Sequence, residues 1–351
     1  MNRRNFLRDL TGGVIAGTIA LNSTALIANE AVSYSEKIQK IPNNIKPKAL
    51  KKGSKIAITA PASTTNMWEI QNCLRFCKAN GLEVEIGDTI KKQNNNYQYF
   101  SAPDDVRLNE FNKFLNRDDI DAIICGRGGY GIMRILSKID YNAIISKPKI
   151  IMGFSDITAL LIAIHKNTKL VTFHGPVASS SFNQIQTDNL KKALFTTKQN
   201  LTYNESMAVT FAGGISKGKL IGGNLSLLTS TLGTEFEIDT TDSILFFEDV
   251  SVHSYQIDRM LTQLQLANKL QKCKGIIIGE FKDLNSRKPF YPNRGFSLKE
   301  VFTQLLKPLN IPIVIGFNFG HLNTNLTLPI GVEVILDADK KSLTATEQTV
   351  V

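Results

Sequence analysis

The spacing of apolar and polar positions predicts an α/β protein. From residue 55 onward, short runs of aliphatic and β-branched residues alternate with stretches of helical periodicity. The run 55–59 reads as a buried strand. It must end in Ala60-Pro61-Ala62-Ser63, because proline cannot donate to a sheet ladder. A helix is predicted over 67–80 from Ile70, Leu74, Phe76 and Cys77, with Gly81 as its stop. A strand at 82–86, a polar loop around 94–97, a helix over 104–116 and a strand at 121–125 follow. The apolar face of the 104–116 helix is read as Val106, Leu108, Phe111, Phe114 and Leu115. Strands alternating with helices imply a parallel sheet covered on both faces.

The stretch Ile150-Ile151-Met152-Gly153-Phe154-Ser155-Asp156-Ile157-Thr158 stands out within that rhythm. An apolar run ends at a glycine, and helical spacing begins at once with Asp156, Ile157 and Leu160. A hydroxyl therefore sits on a tight turn beside the N–H groups that open a helix. Such N–H groups can stabilise an oxyanion, which suits Ser155 as a nucleophile. Serine is also a good helix cap, and this segment alone leaves both roles open.

Beyond it, a strand is predicted at 170–173, broken by His174-Gly175-Pro176. Residues 179–216 are rich in Ser, Thr, Asn, Gln and Lys, and the interdomain junction is placed at 181–216. The second half opens at Lys219-Leu220-Ile221-Gly222-Gly223-Asn224. It continues with helices over 225–232, 255–270 and 298–306 and strands at 244–247, 275–281 and 313–319. A hairpin formed by 332–336 and 342–346 closes it. The chain thus divides into 53–180 and 217–351.

Composition and charge narrow the function. The 351 residues are 42% hydrophobic and 21% charged, as in an ordinary globular protein. The net charge of +10 is concentrated at the start, where residues 1–60 hold ten Lys/Arg against three acids. This localisation speaks against a nucleic-acid partner. Residues 1–28 have a basic start with Arg3 and Arg4, then a weakly apolar run and small residues. That pattern resembles a twin-arginine export signal with cleavage near Ala28, and it implies the twin-arginine machinery as a partner and a periplasmic location. The Lys/Asn/Pro-rich segment 29–52 is read as a flexible linker. Cys73, Cys77, Cys125 and Cys273 are read as buried small hydrophobes, with no disulfide framework and no zinc-ligand spacing.

The segment Gly126-Arg127-Gly128-Gly129-Tyr130-Gly131 spells a dinucleotide fingerprint. It follows about the third strand of its unit rather than the first, and no convincing acid lies about 20 residues on, so that use is rejected. A glycine-rich loop that brings bare N–H groups to a ligand at the end of a strand is the alternative. A nucleophilic serine needs a base, and there are four histidines. His165 falls on the far side of its helix and His253 in a polar loop. His174 and His321 both end strands. Glu248 ends another, and pairing it with a histidine would satisfy a carboxylate that is costly to bury alone.

Four motifs occur in order at fitting spacing: the Gly126–Gly131 segment, Gly153-Phe154-Ser155-Asp156, Phe247-Glu248-Asp249, and Phe319-Gly320-His321 with Leu328-Pro329-Ile330-Gly331. Together they resemble the LD-carboxypeptidases, serine peptidases that include muramoyl-tetrapeptide carboxypeptidase and the microcin C self-immunity peptidases. The resemblance implies a doubly wound N-terminal domain carrying Ser155 and a smaller C-terminal α/β domain carrying Glu248 and His321. It further implies Ser155 as nucleophile, His321 as base and Glu248 as its orienting acid. The N–H of Asp156 and one from Gly128–Gly129 would form the oxyanion hole. Arg127, Tyr130 and Asn224 are the candidates for binding substrate. The implied substrates are peptidoglycan-derived peptides ending in D-alanine, with no cofactor or metal needed, and a homodimer is expected. Two rivals are a microcin-immunity peptidase that cleaves acyl-sulfamoyl adenylates and a muropeptide-binding protein with a dead site.

Overall fold

The computed structural model describes residues 44–92, 99–197, 201–284 and 295–351. The segment read as an export signal, most of the one read as a linker, and the polar loop at 94–97 lie outside the described residues. Fourteen strands are present among them. In the first half these are β1 (Lys55–Thr59), β2 (Glu83–Ile86), β3 (Ala122–Cys125), β4 (Ile150–Gly153) and β5 (Thr172–His174). Then come β6 (Thr202–Asn204), β7 (Val209–Ala212), β8 (Ile215–Asn224), β9 (Ser243–Val250), β10 (Gly275–Lys282) and β11 (Ile313–Phe317). The last are β12 (Leu328–Ile330), β13 (Glu333–Asp337) and β14 (Ser342–Ala345).

They form two sheets, ordered β12-β5-β4-β3-β1-β2 and β6-β14-β13-β8-β9-β10-β11-β7. Strands β1 to β5 run parallel to one another, and so do β8, β9, β10 and β11. The apolar runs are buried along almost their whole length, as expected for parallel strands covered on both faces. The α/β class and the two-part arrangement are as read from the sequence.

Some expectations change. The second sheet, expected to belong to the smaller part, has eight strands against six. It gains β6 and β7 from the polar junction, where the helix Gln184–Leu194 also forms. Asn183 caps that helix in a reciprocal capping box with Gln186, so its polar residues serve termini and exposed faces. Residues 44–52 are not a flexible linker. Ile45 bridges Leu170, the Ala49 N–H reaches Val351, and Leu50 is buried with its N–H on the Leu194 carbonyl. The helix Asp104–Asn116 buries Arg107 and leaves Val106 exposed, which shifts its inner face by one position. The predicted 255–270 helix ends at Leu266, because Asn268 turns into the left-handed region with φ of 59°.

One further departure matters for the site. Strand β12 comes from the C-terminal half, yet it pairs antiparallel with β5 in the first sheet, Leu328 opposite His174. The chain between β11 and β12 therefore crosses from one sheet to the other, and His321 lies on that crossing. No described helix is long and apolar enough to span a membrane.

Candidate active site

Ser155 lies at the end of β4, just before the helix Ile157–Thr168. Its φ is 62°, a left-handed conformation that costs a non-glycine residue about 1–2 kcal/mol. The turn is held by the Ile157 N–H on the Phe154 carbonyl and the Thr158 N–H on the Ser155 carbonyl, at 3.3 and 2.9 Å. Gly153 is obligatory here, since a Cβ would come within 2.8 Å of Ile157 Cγ2. The helix that follows is buried on nearly every side, which its all-round apolar sequence requires, and it touches β4, β5, β8 and β12. Both sheets thus clamp the element that carries the serine.

His321 arrives from the crossing segment. Its Nε2 lies 3.1 Å from Ser155 Oγ, and its Nδ1 lies 2.6 Å from Glu248 Oε2. The His321 backbone N–H also donates to Glu248, at 3.3 Å. Phe154 packs edge-to-face on the imidazole with centroids 4.9 Å apart, which fixes the plane of the ring. The crossing is rigid. The Gly320 N–H donates to Asn325 Oδ1 at 2.8 Å, the Thr327 N–H to Asn189 Oδ1 at 2.6 Å, and Asn183 Nδ2 to the Asn323 carbonyl at 2.7 Å. The Gln184–Leu194 helix of the junction thereby buttresses the loop that carries the histidine.

Glu248 is fully buried on β9 and accepts a third bond, from Asn224 Nδ2 at 3.3 Å. Asn224 ends β8, and its Nδ2 also donates to Asp249 Oδ1 at 3.0 Å while its Oδ1 caps the next helix through the Leu227 N–H. Asp249 takes further bonds from Ser226 N and Oγ, at 2.8 and 2.7 Å. Burial nevertheless raises its pKa, and the neighbouring Glu248 adds to the rise. Asn224 was expected to hold substrate. The residue is instead 2% exposed, and its amide is fully engaged behind the acid. Its backbone N–H bonds Thr158 Oγ1 at 3.0 Å, joining the second sheet to the helix that follows Ser155.

The glycine-rich loop lies on the other side of the serine. A Cβ on Gly128 would come within 2.7 Å of Ser155 Cβ, so backbone and serine touch there. Two short 3-10 turns follow the loop, not an α-helix. Among the described residues, the N–H groups of Gly128, Gly129 and Asp156 have no acceptor. They are free to bind an oxygen that gains charge at the serine. Arg127 and Tyr130 are about half exposed on the rim, with Arg127 3.6 Å from Glu69 and the Tyr130 N–H on Ser63 Oγ. The structure brings Ser155, His321, Glu248, Asp156 and Gly128 together, and it leaves Arg127 and Tyr130 at the edge.

The other histidines have separate places. His165 is buried at the end of its helix, with Nδ1 2.9 Å from the Leu170 carbonyl. His253 precedes the helix Ser254–Leu266 and stacks on Tyr255. His174 is fully buried, and neither of its ring nitrogens has a partner among the described residues. It is walled by Phe154, Phe246 and Phe319. Burial lowers the pKa of His165 to about 4 and that of His174 to about 3. All four cysteines are buried and free. Sequence reasoning assigned no role to Asp249, Thr158 or Ser63, which act only through contacts that the fold creates.

Residues 56–175 match the LD-carboxypeptidase N-terminal domain and residues 217–336 the LD-carboxypeptidase C-terminal domain. The chain belongs to the LD-carboxypeptidase family. It is a serine carboxypeptidase, and relatives at several distances agree. A probable murein peptide carboxypeptidase of Bacillus subtilis is 38% identical over 304 residues, covering 85% of this chain and 93% of its own. The microcin C7 self-immunity protein MccF of Escherichia coli is 31% identical, covering 83% and 91%. The wild-type apo structure of MccF superimposes with a TM-score of 0.78 at 27% identity, over 88% of this chain and all of that one. The muramoyltetrapeptide carboxypeptidase of Oxalobacter formigenes gives a TM-score of 0.73 at 26% identity, over 84% of this carboxypeptidase and 99% of the other chain.

Proposed function

We propose that this carboxypeptidase removes the terminal D-alanine of peptidoglycan tetrapeptides. It hydrolyses the amide bond after the L-centre of meso-diaminopimelate or lysine. The observation that carries the mechanism is the unbroken relay from Ser155 Oγ to His321 Nε2 at 3.1 Å and from His321 Nδ1 to Glu248 at 2.6 Å. Ser155 attacks the scissile carbonyl as His321 takes its proton. The carbonyl oxygen becomes an oxyanion facing the N–H groups of Asp156 and the Gly128–Gly129 turn. Collapse breaks the C–N bond, His321 protonates the departing amine, and an acyl-serine remains. Water, deprotonated by the same histidine, releases the shortened peptide. Glu248 holds the imidazole with Nδ1 protonated and stabilises the imidazolium. The peptidoglycan substrate is supported by the murein and muramoyl-tetrapeptide relatives. The enzyme works in exported form as a homodimer, a reading that rests on the basic N-terminal pattern and on the family resemblance.

The test is mass spectrometry of a disaccharide tetrapeptide incubated with the protein and with Ser155→Ala. Loss of one D-alanine by the wild type alone supports the reading. Loss by both removes Ser155 as nucleophile. Binding without loss by either moves the weight to a dead binding site, and cleavage of an acyl-sulfamoyl adenylate alone moves it to the immunity-type reaction.

A further inference from the structure

We infer that the Asp156 side chain, together with buried Arg107, is the device that positions the oxyanion-binding loop. The inference rests on the serine mechanism proposed above. That mechanism uses only the backbone N–H of Asp156 and gives its carboxylate no part, yet the residue is buried, with 3% of its surface exposed. No lysine or arginine forms an ion pair with it among the described residues. A carboxylate kept in such a place needs strong donors. It has them in the glycine-rich loop: Oδ2 accepts the Ile132 N–H at 2.9 Å, and the Gly131 N–H faces the same group.

Arg107 holds the same turn from the opposite side. It is completely buried, and its Nη1 donates to the Gly131 carbonyl at 3.1 Å and to the Pro61 carbonyl. Its Nε donates to the Ala102 carbonyl at 3.1 Å, and Nη2 meets Asp104 at 2.5 Å. Gly131 lies between the two charges with φ of +128°. A Cβ there would come within 2.7 Å of the Phe100 ring and 3.2 Å of Arg107. Ser63 pins the middle of the loop, its N–H on the Gly128 carbonyl at 3.2 Å and its Oγ under the Tyr130 N–H at 2.9 Å.

Anchors therefore fall on the carbonyls of 128 and 131 and on the N–H groups of 130, 131 and 132. The N–H groups of Gly128 and Gly129 are left unengaged beside Ser155. Asp156 thus acts twice. Its main chain supplies one donor, and its side chain sets the loop that supplies the other. Preorganised donors are effective only when the protein already holds them in place, so loosening the clamp should weaken transition-state binding and leave ground-state binding alone.

The test compares Asp156→Asn, Asp156→Ala and Arg107→Lys in the full chain. Steady-state kinetics on the tetrapeptide are paired with the affinity of a peptide boronic acid, whose serine adduct carries the same tetrahedral oxygen. Asp156→Ala is expected to lower kcat by about 10²–10³-fold with KM within about threefold. Boronate affinity should fall in parallel with kcat/KM. Asp156→Asn, which keeps an acceptor oxygen, should recover most of the loss. Should the alanine variant fail to fold, the Asn and Lys variants carry the comparison. A rise in KM at unchanged kcat, boronate affinity unmoved while kcat falls, or a rate loss matching only the unfolded fraction would each overturn the clamp. No turnover by the wild type would instead defeat the serine carboxypeptidase mechanism on which it rests.

Discussion

Gly320 lies directly against Glu248: a Cβ at position 320 would come within 2.3 Å of Glu248 Cγ, and the residue's φ is +94°. The glycine before the candidate base is therefore required twice, once by conformation and once by space. It lets the His321 backbone fold down until both its N–H and its Nδ1 reach the same carboxylate oxygen. Gly320→Ala is expected to displace His321 and cut kcat by at least ~10²-fold, since a shift of about 1 Å in a catalytic group has effects of that size. Steady-state kinetics at unchanged secondary-structure content would check this. A variant within threefold of wild type would contradict it.

The left-handed turn at Ser155 predicts a separation of stability from activity. Ser155→Ala and Ser155→Gly should both be inactive. Glycine takes φ of 62° without strain, so Ser155→Gly should be the more stable of the two, by about 1 kcal/mol. Urea denaturation of the pair measures the difference. Equal stability would mean that the turn carries no strain.

Asn224 donates to two buried acids at once. Asn224→Ala would leave Glu248 and Asp249 adjacent, with this shared donor removed. Hydrogen bonds to charged groups contribute about 1.5–3 kcal/mol, so a loss of ~10–100-fold in kcat is expected, with little change in KM. A change confined to KM would instead return Asn224 to the role of a substrate ligand.

The two buried histidines predict acid sensitivity. Their folded pKa values, about 4 for His165 and about 3 for His174, lie below the ordinary 6.5. The unfolded chain therefore binds protons that the native state refuses. Stability is fully present above about pH 6.5 and is lost as pH falls toward 4 for His165 and toward 3 for His174. By pH 5 the loss is about 2 kcal/mol for each. Denaturant melts at pH 7.5 and 5 should show the slope, and His174→Phe should remove roughly half of it. A slope unchanged in that variant would count against a neutral His174.

Export is tested through the arginine pair. Replacing Arg3 and Arg4 by lysine keeps the charge and removes the twin-arginine pattern, so the protein should be retained in the cytoplasmic fraction. Undiminished delivery to the periplasm would show that another route carries it.

Much of this architecture was legible in local pattern. Parallel strands buried on both faces are written as unbroken apolar runs, and each helix that covers them has its own period. The runs at 55–59, 121–125, 150–153 and 244–247 could therefore be placed without a structure. The turn that carries Ser155 was legible for the same reason: strand, glycine, serine and helix are contiguous, and their geometry is local. Ser155, Glu248 and His321 could be grouped through the ordered motifs of a family, although no local rule says that residues 166 positions apart will touch.

Other features arose only in the folded chain. The sequence offered Leu328-Pro329-Ile330 as part of a motif, and tertiary pairing with β5 made it the anchor that carries His321 between sheets. The polar junction hid a helix, because a helix that packs one modest face shows a weak period. Arg107 carried no signal in the helical pattern and became a buried clamp, because backbone carbonyls from three separate segments converge on it. Asn224 read as a substrate ligand and became the partner of two acids, because β8 and β9 lie side by side in register. Local sequence determines where the chain extends, turns and coils. Which buried polar group meets which partner depends on how distant segments pack, and the desolvation of those groups makes the pairing decisive.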